Sequence, residues 1–326
     1  METGKTGKYF KYAIGEIVLV VIGILIALSI NNWNEDRKAK NKTKHLLTKV
    51  HKELAFNINE ANSVVRAYRY KDSIVYKVLN KKVTYHDYKT NPRYSSVIMG
   101  TPTAELKDNA FKNLMNHEVS FTSQEDTIIS KLIDLYEKNK RTVDTRNELA
   151  LSRLQKSVSK TKDVYPWYYD YHVKKEYIDA MVNYYLNDPI YLNDVTDYSM
   201  KNLNGHNGAV LNFRNKALKL YKELSSYLNI KQDSTIVKNL SNFEHYMGVY
   251  RDSLDVIEVT KEKDNFIYTR RNTIDSTDVA KYILYPDSNA YFNVARLFGK
   301  LTFRNNEVKE LILSQGHYRK VYKKVN

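Results

Sequence analysis

One stretch limits what this chain can fold into more than any other. From Ala13 to Ile30 the sequence AIGEIVLVVIGILIALSI has Glu16 as its only charge, and Ile17 to Ile30 is apolar apart from Gly23 and Ser29. At about 1.5 Å per residue, a helix of that length reaches roughly 27 Å, near the thickness of a bilayer's hydrocarbon core. Tyr9, Phe10 and Tyr12 stand at one edge and Trp33 at the other, where aromatic rings sit at head-group level. A buried core helix would show a polar face, which this run lacks. A cleavable signal peptide would share the basic start and apolar centre, and Ala27-Leu28-Ser29 loosely resembles a small-residue cleavage site. The run is long for that, and it leads directly into a Trp-bearing segment. The expectation is one uncleaved transmembrane helix over 13–30, preceded by a short basic N-terminus, 1–12.

The lipid bilayer is therefore the first partner. Lys5, Lys8 and Lys11 precede the span, and Arg37, Lys38, Lys40, Lys42, Lys44 and Lys49 follow it, diluted by Glu35 and Asp36. Counting positive charges places the following body in the cytoplasm, but long domains cross largely regardless of such charges. Within the span, Glu16, Val20, Gly23 and Ala27 share one helix face at roughly 100° per residue. Gly23 and Ala27 form a small-xxx-small pair that permits close helix approach. One reading is self-association through this interface, with Glu16 hydrogen-bonded across it. The other is that Glu16 reaches the head groups and the small residues have no such role.

The net charge is +15, and it is spread out: residues 1–60 carry +4, 61–242 carry +8 and 243–326 carry +3. A diffuse excess suits anionic head groups at least as well as nucleic acid. Nucleic acid is not expected, because zinc-finger spacing, a recognition-helix pattern and RNP-like strands are all missing. With no cysteine in the chain, disulfides, thiol catalysis and thiolate metal sites are excluded.

After the span the pattern turns helical. Leu46, Leu47, Val50, Leu54, Ile58, Ala61 and Val65 recur every three or four residues, and Ile74, Val75, Val78 and Leu79 extend the stripe. One long helix leaving the membrane is expected. Pro92, Gly100 and Pro102 mark residues 81–103 as a connection. A short helix is expected over 104–116, another starting at Ser123 with Ile128, Ile129, Leu132, Ile133, Leu135 and Tyr136 on its buried face, and a further one from Lys140 to Val158. The Tyr-rich run 165–185 reads either as an aromatic surface carried by Tyr165, Trp167, Tyr168, Tyr169 and Tyr171, or as a packed seam with Tyr177, Met181, Tyr184 and Tyr185 at helical spacing. The seam is the favoured reading. Asn187-Asp188-Pro189 ends a helix, Asn204 to Gly208 reads as a turn, and 209–228 as the last helix. Residues 31–242 thus form a mainly helical, bundle-like body.

Near Phe243 the period changes. Val256-Ile257-Glu258-Val259, FIYTRR, VAKYILYP, AYFNVA, GKLTFRN, VKELILSQ and YRKVYKKV alternate apolar and polar residues, separated by turns at Lys263–Asn265, Pro286–Asn289, Arg304–Asn306 and Gln315-Gly316. About eight short strands over 243–326 predict a small antiparallel barrel or sandwich. The fold class is α+β: a transmembrane helix, a helical bundle and a C-terminal β-domain.

No catalytic constellation emerges. Ser157-Val158-Ser159-Lys160 has S-x-x-K spacing but lacks Ser-Asp-Asn and Lys-Thr-Gly partners. There is no G-x-S-x-G elbow, phosphate loop or G-x-G-x-x-G. His45 and His51 are six apart and fall on different helix faces, and His117-Glu118 is a lone pair. No catalytic, cofactor-binding or metal-binding residues are assigned, and no cofactor is expected.

Two resemblances bear on function. YAIGEIVLVVIGILIALSINNWNE, from Tyr12 to Glu35, resembles the N-terminal signature of a large uncharacterised family of bacterial single-pass membrane proteins, a domain-of-unknown-function family. LKDNAFKNLMNHEVSFTSQEDTIISKLIDLYE is loosely similar to that family's helix–turn–helix. The resemblance implies an inner-membrane protein with one anchor and a helical body, on the periplasmic side, and brings no activity or catalytic residues. This chain departs from it in a short, weakly basic N-terminus. The C-terminal segment resembles the small β-domain appended to β-lactamase-like and penicillin-binding serine hydrolases. It does so through Gly248, Tyr250, Leu284-Tyr285-Pro286, Phe292, Leu301-Thr302-Phe303, Leu311-Ile312-Leu313 and Tyr322-Lys323-Lys324-Val325. That implies an accessory, lipocalin-like barrel without its hydrolase. The expected role is a membrane-anchored, non-enzymatic scaffold, sensor or interaction protein of the bacterial cell envelope. The alternative is an envelope enzyme or small-ligand binder with a pocket in the barrel or the Tyr-rich region.

Overall fold

The computed structural model describes residues 4–117, 121–263, 265–288, 291–294, 300–304, 308–315 and 318–325. Glu118 and the residues Asp264, Asn289, Asn305–Asn306 and Gly316 of the expected turns lie outside them, as do the side chains of residues 4–13, 287–288, 300–304 and 315; Pro286 to Ser288, expected in a turn, instead end a strand, Val279–Ser288.

Helix α1 (Gly4–Leu79) runs unbroken for 76 residues, about 114 Å of helix at 1.5 Å per residue. It contains no proline, so its i to i−4 ladder is nowhere interrupted. Its apolar pattern changes along its length. Ile14 to Ile30 expose large apolar side chains all round, and this helix is long and apolar enough to cross a membrane. Residues 31–42 form an exposed stalk. From Thr43 the apolar residues narrow to one stripe, and Leu47, Val50, Leu54, Ile58, Ala61, Val65 and Tyr68 are buried. Each large side chain in that stripe contributes about 1.5–3 kcal/mol by leaving water. Lys81, at φ +52°, takes the left-handed turn that ends the helix.

The body is a helical bundle built on that stripe. Two short helices, α2 (Tyr85–Thr90) and α3 (Pro92–Ser95), interrupt the expected connection. Thr84 and Asp87 form a capping box that starts α2, and Asn91 caps α3 with Pro92 at its first position. Helix α4 (Asn109–Met115) is shorter than expected. Residues 101–108 are not helical because side-chain amides take their backbone groups. Asn57 pairs with both N–H and C=O of Lys107 at 2.8 Å, and Asn147 does the same for Ala104 at 3.2 and 2.9 Å.

The two helices expected beyond Ser123 are one continuous element. Helix α5 (Ser123–Ile133) passes through a π-helical stretch, Asp134–Lys140, into α6 (Arg141–Val164). Its cap is Thr122 rather than Ser123, since Glu125 returns a hydrogen bond to the Thr122 N–H at 2.8 Å. After α7 (Trp167–Tyr169) and α8 (Asp179–Asn187), Asp188 ends one helix and caps the next, α9 (Pro189–Tyr198).

The turn expected at Asn204–Gly208 does not form. Helix α9 continues through another π-helical stretch, Ser199–His206, into α10 (Asn207–Leu228). Gly205 signals a close approach instead: a Cβ there would stand 3.3 Å from a guanidinium nitrogen of Arg146. Helix α10 lies along α1, where His51 stacks on Tyr221 (4.3 Å) and bonds Ser225 at 2.8 Å.

A 3₁₀ turn, Leu240–Tyr246, leads into eight strands: β1 (Gly248–Arg251), β2 (Asp255–Glu262), β3 (Asn265–Asn272), β4 (Val279–Ser288), β5 (Tyr291–Val294), β6 (Lys300–Arg304), β7 (Glu310–Gln315) and β8 (Tyr318–Val325). Each pairs antiparallel with its sequence neighbours, and β1 closes the barrel on β8 with Tyr250 opposite Lys324. Tyr250, Ile257, Val259, Phe266, Phe292, Leu311 and Tyr322 fill the interior, as the alternation predicts. Phe243 and Tyr246 pack edge-on against Phe292, at 5.4 and 5.5 Å. The barrel rests on the far end of α1: the Arg319 guanidinium lies 4.0 Å from the Tyr76 ring centroid, and Arg69 lies 3.9 Å from that of Tyr291.

Candidate functional site

Among the described residues, the exposed part of α1 and a groove on the body between α6 and the α9 segment carry features beyond packing.

On α1, Glu16, Gly23 and Ala27 lie within the exposed apolar stretch, Ile14 to Ile30. A Cβ at Gly23 would meet nothing within 4 Å, so the small side chain fills no contact inside this chain. Arg37 lies over Trp33 at 5.2 Å, which places a cation and an aromatic ring together just beyond the apolar stretch.

The five tyrosine-region residues are not gathered on one surface. Trp167 is buried, 5.3 Å from Tyr184 and 5.8 Å from Tyr185, so it offers nothing to an outside partner. Tyr165 is half-buried and donates its hydroxyl to Asp188 at 3.0 Å. Burial, with Asp188 beside it, pushes that hydroxyl up to about 12. Tyr171 shares a hydrogen bond with Ser95 at 3.2 Å and meets Tyr177 edge-on. Tyr168 is half-buried beside His172, and Tyr169 is exposed. The seam runs through Met181, Tyr184 and Tyr185 of α8, together with Tyr88 and Tyr191. Tyr177 precedes α8 and so does not share its helical spacing.

The groove was not foreseen. It has a volume of about 350 Å³, at the small end of ligand-sized sites. One wall is the α6 face that carries Leu149, Arg153, Ser157 and Lys160; the other carries Asp194, Tyr198 and Asn202; Ile98 and Thr101 lie between. Ion pairs span it loosely, Lys160 to Asp194 at 3.5 Å and Arg153 to Asp197 at 3.9 Å. Ser157 and Lys160 of the S-x-x-K spacing both line it, but Lys160 is directed to Asp194 and the Ser157 Oγ has no hydrogen-bond partner among the described residues.

Beneath the groove runs a chain of hydrogen bonds with a single direction. The backbone of Ala104 orients Asn147: its Oδ1 accepts from the Ala104 N–H and its Nδ2 donates to the Ala104 carbonyl. His206 Nε2, 2.8 Å from that Oδ1, must then carry the proton. Its Nδ1 is left as an acceptor for the Tyr68 hydroxyl at 2.5 Å. Thr101 donates to Tyr68 (3.2 Å), Asn202 Nδ2 donates to Thr101 (3.0 Å), and Arg153 reaches Asn202 Oδ1 at 3.4 Å. Burial, reinforced by Arg146 and Arg153, holds His206 down at about 4, so it is neutral near pH 7. Burial pushes Tyr68 up to about 12. The chain fixes the rotamers of Thr101 and Asn202 where they face the groove. Asn202 and His206 both come from the π-helical stretch Ser199–His206, which shifts side chains out of α-helical phase.

Sequence reasoning missed this chain because Tyr68 simply continues the apolar stripe and His206 lies in an apparent turn. The one available signal was the pair of Asn residues, 147 and 202, set among buried helical positions.

No curated protein and no solved structure is matched by the chain. Residues 16–113, from within the apolar stretch of α1 to α4, match a family described as "Family of unknown function (DUF6090)". The N-terminal third of this chain is thus similar to an uncharacterised family.

Proposed function

We propose that the chain is a single-pass, non-enzymatic scaffold or sensor of the bacterial cell envelope, anchored in the inner membrane with its body on the periplasmic side. The observation that carries this reading is α1. One helix is apolar on every face near its start, exposed as a stalk in the middle, and the central element of the bundle at its end. It also touches the barrel through Tyr76 and Arg69. A rigid rod of that kind holds a body at a set distance from the bilayer, and passes rotation or displacement along its axis. The barrel serves as the distal interaction surface. Glu16, Gly23 and Ala27 serve as a self-association face within the bilayer, and Tyr169 with its half-buried neighbours as a lesser contact surface.

Reporter fusions after Asn326 test the placement. An alkaline phosphatase fusion should be active and a green fluorescent protein fusion dark; the opposite pattern rejects a periplasmic body. A version missing residues 1–36 should fail to complement a deletion strain. Full complementation by that soluble version would reject the anchored reading.

A further inference from the structure

We infer that the groove between α6 and the α9 segment is a binding site for a small organic anion, a carboxylate or phosphate carried on an apolar body. This inference does not depend on the membrane reading.

Three observations carry it. The first is an unsatisfied hydroxyl. Tyr198 lines the groove with 7% of its surface exposed, and its hydroxyl makes no hydrogen bond to any described residue. Ser157, on the facing wall, presents a second such oxygen. Buried polar atoms are normally paired, and two unpaired oxygens among the residues of one groove leave hydrogen-bonding capacity that a ligand can use. Both oxygens are shut off from bulk solvent, so a ligand reaches them by parting the edge of the groove. The long ion pairs that span it, at 3.5 and 3.9 Å, are the cheapest contacts to open.

The second observation is the charge balance. Arg153, Lys156, Lys160 and Lys201 line the groove against only Asp194 and Asp197. An incoming anion can take the Arg153 guanidinium from Asp197, whose contact at 3.9 Å is poor, and leave Asp197 with Lys201. Arg153 presents a planar fork suited to paired anionic oxygens. The third is composition: Ile98, Leu149 and Leu154 also line the site, which gives an apolar body somewhere to lie. The hydrogen-bond chain from His206 to Asn202 ends at Arg153 and holds this wall in place.

The test is calorimetric titration of the full chain, in nanodiscs of zwitterionic lipid, with benzoate, phenyl phosphate, inorganic phosphate and benzyl alcohol. Saturable one-to-one binding is expected for benzoate or phenyl phosphate, and which of the two binds tighter identifies the anionic group. Benzyl alcohol and inorganic phosphate should each bind at least about tenfold more weakly, because each lacks half of the recognised chemistry. Arg153→Gln should weaken the anions about tenfold or more, and Lys156→Gln, an exposed change with little effect on folding, by about twofold to threefold. Tyr198→Phe should weaken them about fivefold while leaving the melting temperature unchanged or raised, since a hydroxyl with no partner in the free protein does not hold the fold together.

Four results would each overturn the inference. These are no saturable binding up to about 10 mM of either aromatic anion, equal affinity for inorganic phosphate, unaltered binding in both Tyr198→Phe and Lys156→Gln, or a clear fall in the melting temperature of Tyr198→Phe. A cytoplasmic reporter pattern would reject the proposed membrane placement yet leave these affinities untouched.

Discussion

His206 makes the body sensitive to acid, and by an amount that can be worked out. It is fully buried, accepts from Tyr68 at Nδ1 and donates to Asn147 from Nε2. Protonation would place a second donor against the Tyr68 hydroxyl, in a region already positive from Arg146 and Arg153. The folded-state value near 4 lies below the ordinary 6.5, so below pH 6.5 the unfolded chain binds a proton that the folded chain refuses. The associated stability is complete above pH 6.5 and is lost as the pH falls towards 4. Linkage gives a loss of about 2 kcal/mol at pH 5 and about 3 kcal/mol at pH 4. The assay is urea unfolding of the detergent-solubilised full chain, followed by Trp167 fluorescence in a Trp33→Phe background. Other groups respond to acid as well, including His51, which burial holds below its ordinary value, so the quantity of interest is the difference between wild type and His206→Gln. Near pH 7 the variant should be less stable by about 2 kcal/mol, for the lost hydrogen bonds. By pH 4.5 that difference should vanish or reverse. Parallel stability curves for the two proteins from pH 7 to 4.5 would refute the neutral, directional chain.

Other consequences follow from single residues. Gly248 opens β1 at φ +138°, and a Cβ there would stand 2.8 Å from Lys324 Cε; Gly248→Ala should cost about 1–3 kcal/mol by thermal unfolding of the barrel, and an unchanged melting point would contradict the strand geometry. Lys81→Gly relieves the left-handed residue that ends α1 and should stabilise the body by about 0.5–1 kcal/mol in urea titration. Double substitution of Gly23 and Ala27 by Leu should weaken crosslinking between copies in the membrane; unchanged crosslinking would remove the self-association face.

Much of the architecture was legible because it rests on period. The stripe from Leu46 to Val78 and the alternation from Val256 to Val259 each state a geometry that burial enforces, and the structure buries the stripe together with Ile257 and Val259, leaving Val256 half-buried on the other face of its strand. The breaks between helices were less legible. At Asp134–Lys140 and Ser199–His206 the chain stays helical by widening to π geometry, which composition does not announce. Gly205 signalled a turn and instead makes room for Arg146. The extended run 101–108 depends on Asn57 and Asn147, about 40 to 50 residues away in sequence. The groove has the same origin. Its walls come from α6 and from the α9 segment, and neither helix alone distinguishes a ligand face from an ordinary solvated one. The Glu16/Gly23/Ala27 face, by contrast, is readable from spacing alone, because inside one helix spacing is the geometry.

The central claim is that α1 is one rigid element from its apolar stretch to the barrel. The absence of cysteine in the chain allows this to be measured cleanly with two introduced spin labels. Lys38→Cys and Ser73→Cys place labels at exposed positions on the stalk and near the barrel end of the helix. Pulsed electron–electron double resonance on the full chain in nanodiscs should give one narrow distance distribution centred near 50 Å, the value for an unbroken helix at about 1.5 Å per residue. A broad distribution, or a maximum below about 40 Å, would show a hinge between membrane and body and contradict the account.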